Sequence, residues 1–313
     1  MPLTPKELEQ YENDGCIAIK NYLNKDKVKE LNDEIDSLLN SVNIGNHPKI
    51  KFTTGNDKDG HISDKYFIDS SDKIHYFFEP EAISDNNHKL NKPLNKSINK
   101  IGHGLHFLNE KFNSITVNDD IASICRQLGF KDPKAVQSMC VIKQPFIGAE
   151  VPPHNDAEFL YSNPKSCVGF WFALQDCTLE NGCLEFIPGS QNYPLQKRFV
   201  KDLKKGYGTK FAPLTNLDGQ FVPNSSDENI KINKLIENDS LYEKIIIPAG
   251  SLVLINGKLI HKSAKNTSDH SRNAYTFHVV DGASNYDEYN WLQIPPSHPS
   301  GTDNFTRLYK NYE

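Results

Sequence analysis

At 313 residues and 35.5 kDa the chain has room for one large hydrophobic core or two modest ones. Hydrophobic residues at 37%, charged residues at 24% and a mean hydropathy of −0.59 describe a soluble globular protein, which excludes a disordered or fibrous chain. Its 40 acidic and 35 basic residues form no long run of either sign, so nucleic acid and anionic membrane are excluded as partners and small molecules are expected.

The first predicted element is a helix opened by Thr4, with Glu7 completing a capping box, and Gly15 ends the turn before a short strand from Cys16 to Lys20. A second helix runs from Lys25 to Asn40, where Val28, Leu31, Ile35, Leu38 and Leu39 recur at helical spacing. Residues 41–64 are rich in Asn, Gly, Lys and Asp and read as a mobile loop. Asn118 or Asp119 caps a third helix that runs through Leu128 and is ended by Gly129.

From Val136 the pattern changes to short β-rich runs: Val136 to Gln144, Cys167 to Leu174, Cys183 to Ile187, Ile245 to Pro248, Leu252 to Ile255 and Ala274 to Val280. Short strands punctuated by Gly, Pro and Asn argue for a sandwich or barrel. The segment from about 191 to 240 has no sustained period and reads as an insertion or lid. The whole is expected to be one domain over 1–313, with a helical part to about 130 and a β core over about 131–295.

The longest apolar runs, Ile245–Ile247 and Ser251–Ile255, are far too short to span a bilayer, so no membrane partner is expected. No basic region followed by an apolar one stands near Met1, and the tail Lys310-Asn311-Tyr312-Glu313 is not a peroxisomal signal, so the expected compartment is the cytoplasm. Cys16, Cys125, Cys140, Cys167, Cys177 and Cys183 show no Cys-x-x-Cys spacing and read as reduced, buried thiols.

Chemistry concentrates in Pro153-His154-Asn155-Asp156. If this segment is a strand, His154 and Asp156 point to one face and offer an imidazole and a carboxylate to a single metal. His261, just past the run Ser251–Ile255, offers a third ligand. Two His and one carboxylate on one face is the facial triad of non-haem Fe(II) oxygenases, although zinc accepts the same ligands. Arg272 lies eleven residues further on, beyond a turn-rich stretch. A hairpin there would set it opposite His261, where a guanidinium fork suits the far carboxylate of 2-oxoglutarate.

The chain resembles the phytanoyl-CoA dioxygenase family over nearly its whole length. The resemblance rests on Asp72-Lys73-Ile74, Ser97–His103, Val136–Met139, Lys143–Pro145, Pro153–Ala157, Leu179–Leu184, Phe186–Ser190 and Ser271–His278. It implies a double-stranded β-helix, that is a jelly-roll or cupin-like core with flanking helices, carrying Fe(II), 2-oxoglutarate and O2, with ascorbate included as a reductant. It makes His154, Asp156 and His261 the iron ligands and places Lys100, Met139, Trp171, Ser263 and Arg272 around 2-oxoglutarate. The reaction implied is decarboxylation of 2-oxoglutarate to succinate and CO2 with hydroxylation of a small molecule other than phytanoyl-CoA. Asp156 argues against the related halogenases, which lack the metal carboxylate. Departures from the family are Gln191, where His is frequent, and divergent stretches at Asp57–Ser63 and Phe211–Ser240.

Each residue also has a plainer reading. Lys100 alone is a surface lysine, Met139 a core filler, Trp171 a core aromatic and Ser263 a strand-end hydroxyl bonded to backbone. His103, His106, His270 and His278 rank as hydrogen-bonding or exposed, because none has a carboxylate two residues away. Two rivals to the oxygenase are a non-catalytic 2-oxoglutarate-binding module and a zinc hydrolase with Glu158 as base, the latter leaving Arg272 without a purpose.

Overall fold

The computed structural model describes residues 2–52, 65–86, 89–202, 208–213, 226–295 and 301–309. The opening helix, Pro5–Asp14, carries the expected capping box: the Glu7 amide donates to Thr4 Oγ1 and the Thr4 amide to Glu7 Oε2. Gly15 closes it at φ +77°, and the helix Lys25–Asn40 lays Leu31, Ile35 and Leu39 on the core as its spacing predicts. The third expected helix is Asp119–Gln127, capped by the Asn118 side chain. No helix among the described residues is long and apolar enough to cross a membrane.

The strands run in chain order as β1 (Cys16–Ile19), β2 (Ile74–Phe78), β3 (Ile98–His103), β4 (Pro133–Lys143), β5 (Val151–His154), β6 (Ser162–Asn163), β7 (Val168–Ala173) and β8 (Leu184–Phe186). They continue as β9 (Lys197–Lys201), β10 (Thr209–Pro213), β11 (Glu243–Ile245), β12 (Leu252–Asn256), β13 (His261–Ser263) and β14 (Arg272–Asp281). The large antiparallel sheet has the order β1-β12-β7-β14-β4-β3-β2, and the small one β11-β8-β13-β5. Along β4, β5, β7, β8 and again along β11, β12, β13, β14, the chain passes between the sheets, which is the jelly-roll winding. The inner faces meet through Trp171, Val253, Ile255 and Ala274 of the large sheet and Leu184, Phe186 and Ile245 of the small one.

Helices cover the outer face of the large sheet, so its strands are buried on both sides and read as continuous apolar runs. Phe170, Phe172, Tyr275 and Phe277 pack outward against the helical residues Leu31, Ile35, Phe112 and Ile121, each buried ring contributing roughly 1.5–3 kcal/mol.

Three expectations change. The region before 130 supplies to the large sheet not only the expected strand β1 but also two unexpected ones, β2 and β3. The stretch 191–240 contains the β9–β10 hairpin and a helix, Ser226–Ile236, although 203–207 and 214–225 lie outside the described residues. The strand expected over Ile245–Pro248 is Glu243–Ile245, after which Ile247 forms a single antiparallel bridge to Cys177 and Pro248, with no N–H, takes no part. Of the expected loop, residues 53–64 lie outside the described residues; within the rest, Ile44–Asn46 forms one short 3-10 turn.

Candidate metal centre and cosubstrate cavity

The small sheet places two imidazoles side by side. His154 ends β5 and His261 begins β13, and they are direct cross-strand partners with ring centroids 4.2 Å apart. Asp156 completes the group, and one ligand atom from each residue lies within 4.8 Å of the others. The route differs from the expected one. The strand stops at His154 and Asp156 opens a 3-10 turn, Asp156–Glu158, in which Asn155 Oδ1 accepts the Glu158 amide. His154 and Asp156 therefore converge through a turn and not through strand alternation.

Both imidazoles are set for a cation. His154 Nδ1 lies 2.9 Å from the Pro152 carbonyl and His261 Nδ1 3.0 Å from that of Leu259. A carbonyl only accepts, so each Nδ1 carries the hydrogen and each Nε2 presents a lone pair. Those Nε2 atoms stand 3.7 and 3.8 Å from Asp156 Oδ1, too far for hydrogen bonds. Three acceptors thus point at one another with no proton between them, an arrangement a divalent ion satisfies. Burial, then the neighbouring His261, pushes His154 down to about 3. Burial would raise the Asp156 carboxyl, but His278, His261 and His154 hold it well below the usual range.

The same cavity is lined by all the expected cosubstrate residues: Lys100, Met139, Trp171, Ser263 and Arg272. Arg272 is 2% exposed with its guanidinium over the Trp171 ring at 5.3 Å, its Nε has no partner, and among the described residues no carboxylate pairs with it. An unpaired buried guanidinium is costly unless an anion joins it. The expected hairpin, however, does not exist. β13 belongs to the small sheet and β14 to the large one, so His261 and Arg272 reach the cavity from opposite walls. Arg272 is instead the direct cross-strand partner of Lys143 on β4, and Lys143 Nζ donates to the carbonyls of Ala149 and Ala264, each at 2.6 Å.

Lys100 is buried, not a surface lysine; its ammonium lies 3.4 Å from the centre of the Phe52 ring, and burial lowers it to about 7 against the pull of Asp156. Ser263 keeps its plain role as well, its hydroxyl donating to the Gly182 carbonyl at 2.8 Å. Glu158 is buried in the 3-10 turn and lines not this cavity but an adjoining one that shares His154 and Phe159 with it. Gln191 binds the Glu12 and Asn13 carbonyls at the end of the first helix, away from the cavity.

Spacing missed His278. Its Nε2 lies 3.2 Å from Asp156 Oδ2, a contact made between distant segments that a search for nearby carboxylates does not find. His103 lines the cavity with Nδ1 on Ser70 Oγ, His106 bonds Ser138, and His270 is exposed. Phe52, Phe67, Phe159, Phe199 and Trp291, also unforeseen, form an aromatic end of the cavity and come from five separate segments. All six cysteines are free and buried, as expected.

A family model described as phytanoyl-CoA dioxygenase (PhyH) matches residues 11–274. A Caenorhabditis elegans protein named phytanoyl-CoA dioxygenase domain-containing protein 1 homolog is 37% identical, with 97% of this chain and 98% of that one covered. A protein named phytanoyl-CoA dioxygenase from Arabidopsis thaliana is 38% identical over 93% and 94% of the two chains. Among solved structures, apo EctD from S. alaskensis is similar with a TM-score of 0.62 at 17% identity, covering 99% of this chain and 89% of that one. The epimerase SnoN, solved with Fe3+, alpha ketoglutarate and nogalamycin RO, reaches 0.59 at 15% identity, covering 97% and 98%. At such identities these structures show the shared jelly-roll fold.

Proposed function

Because the chain belongs to the phytanoyl-CoA dioxygenase family, we propose that it is an Fe(II)- and 2-oxoglutarate-dependent dioxygenase acting on a small molecule other than phytanoyl-CoA. His154, Asp156 and His261 would hold the iron. The observation that carries this reading is the unpaired Arg272 guanidinium buried in the same cavity as three converging metal-ligating atoms. Zinc fits the three ligands equally, but a zinc site alone gives Arg272 no partner.

In this reading Arg272 binds the distal carboxylate of 2-oxoglutarate through its planar fork, held in place by the Trp171 ring. Met139 and Ser263 shape the walls beside it, and Lys100 supplies a second positive group on the Asp156 side. The Nδ1–H groups of His154 and His261 keep donating to the Pro152 and Leu259 carbonyls, which holds both rings oriented through turnover. Phe52, Phe67, Phe159, Phe199 and Trp291 receive the substrate and exclude water from it. The bound iron would supply the oxidation itself, converting 2-oxoglutarate and O2 to succinate and CO2 with one oxygen delivered to a C–H bond.

The test is succinate formation from 2-oxoglutarate with Fe(II), O2 and ascorbate, in wild type and in Asp156→Ala. Wild type is expected to form succinate and the folded variant none. Equal rates in the two would overturn the ligand assignment, and tight 2-oxoglutarate binding with no succinate under any condition would favour a binding module.

A further inference from the structure

We propose that His278, itself fixed by Gln137, is a positioning residue that turns the Asp156 carboxylate so that a single oxygen faces the paired imidazoles; this rests on the metal reading above. His278 Nε2 lies 3.2 Å from Asp156 Oδ2, whereas Oδ1 is the atom that faces His154 and His261. A carboxylate only accepts, so Nε2 carries the hydrogen. That leaves Nδ1 as the acceptor, and the Gln137 amide nitrogen stands 3.1 Å from it. Both side chains are buried, so neither bond is exchanged for water.

The sheet is built around this pair. Gly169, His278 and Gln137 sit in one row across β7, β14 and β4 as direct cross-strand partners. A Cβ on residue 169 would stand 3.3 Å from Asp156 Oδ2, tighter than nine in ten real Cβ contacts, and 3.6 Å from His278 Nε2. Glycine at that point lets the carboxylate of the 3-10 turn reach across to the large sheet. The bond therefore ties the small-sheet ligands to the opposite wall, and with Oδ2 engaged, Asp156 offers a metal one oxygen. A metal held there would keep open, for cosubstrate and oxygen, positions that a chelating carboxylate would otherwise fill.

The experiment titrates Co(II) into the metal-free full-length protein by calorimetry and by visible absorption, with thermal unfolding measured alongside. His278→Leu is expected to weaken Co(II) binding roughly 10- to 100-fold and to change the absorption of the bound ion, as Asp156 gains freedom to bind through both oxygens. His278→Gln keeps a donor of similar reach, so it recovers most of the affinity and the wild-type spectrum. Gln137→Leu leaves the His278–Asp156 bond but frees the ring, with an expected loss of roughly three- to tenfold; it decides the matter if His278→Leu does not fold. A merely structural role would lower affinity equally in the Leu and Gln variants, in step with their melting temperatures. That result, or a Co(II) affinity in His278→Leu within about threefold of wild type, overturns the proposal. Wild type that binds no Co(II), or binds it no better than Asp156→Ala, would instead fail the metal reading and take the proposal with it. Retained affinity in His278→Leu beside a lost site in Asp156→Ala overturns the positioning role alone.

Discussion

The two faces of the large sheet are built from alternating residues of the same strands yet bury different polar groups, neutral ones outward and an unpaired cation inward. Outward, β14 turns Tyr275, Phe277 and Val279 into the helix-covered core, where the polar groups are uncharged: Tyr275 OH lies 2.6 Å from Thr116 Oγ1, and His106 Nδ1 lies 2.8 Å from Ser138 Oγ while its Nε2 has no partner. Inward, the same strand turns Arg272, Thr276 and His278 to the cavity, where the Arg272 Nε has no partner. Since buried polar groups are ordinarily satisfied, the face that leaves a cation unpaired is the face prepared for a ligand. On β14 the outward residues pack against the helices, and Arg272 on the inward side is the one set for binding.

The largest effect expected from this division is on the outer face. Phe277 is fully buried and stacks on Phe170 with centroids 4.8 Å apart. Phe277→Ala should cost about 3–5 kcal/mol in chemical denaturation, since it removes a ring from a close-packed core and leaves a void. In the fraction that remains folded, 2-oxoglutarate affinity should stay within about threefold of wild type. A cost below about 1 kcal/mol would show that the outer face is not the packed side.

Arg272 sharpens the contrast because the division assigns it opposite signs for binding and stability. Arg272→Met should weaken 2-oxoglutarate binding by about 2–5 kcal/mol, roughly thirty-fold to a few thousand-fold, in calorimetry with an inert divalent metal in place of iron. Arg272→Lys should restore only part, for an ammonium lacks the planar fork. In the ligand-free protein the same Met substitution should leave stability unchanged or raise it, because it replaces an unpaired buried charge with an apolar side chain. Lys143, its cross-strand neighbour, is the counter-case: its ammonium already binds the Ala149 and Ala264 carbonyls, so Lys143→Met should destabilise by about 2–4 kcal/mol. An Arg272→Met protein that loses stability while binding 2-oxoglutarate normally would invert the assignment of the two faces.

What could be read in the sequence follows from the range over which each signal acts. The capping box of Thr4 and Glu7 and the stripe Leu31, Ile35, Leu39 are local, and both stand where they were expected. The runs at Cys167–Leu174 and Leu252–Ile255 announced strands, but burial on both faces erased the alternation that would tell inside from outside. That is why the supposed hairpin from His261 to Arg272 reads plausibly and is nonetheless a passage between two sheets. β2 and β3 went unread as strands since they lie among loops ahead of the β-rich half, and Lys100 came only from family resemblance. His278 meets Asp156 through tertiary packing alone, which no spacing records. His154, Asp156 and His261 were legible as chemistry, but the 3-10 turn that brings the carboxylate in was not.

The smallest expected effect probes the outer face by pH. Burial pushes the His106 ring down to about 3, against about 6.5 in an unfolded chain. Between those values the unfolded chain binds the proton and the folded one does not, so this stability is complete above about 6.5 and is lost as pH falls toward 3. At pH 5.5 the loss amounts to about 1.4 kcal/mol. His106→Leu removes the titrating ring and leaves all other titrations common to both proteins, so the stability gap between wild type and variant should shift by that amount against the wild type from pH 7.5 to pH 5.5. Denaturation of the metal-free proteins at the two pH values measures it. Because His106 bonds Ser138 on the far side of β4 from Gln137 and Met139, 2-oxoglutarate affinity should not follow the change. A gap that stays constant would mean the ring titrates like an exposed one and that the outer face is wetter than its burial implies.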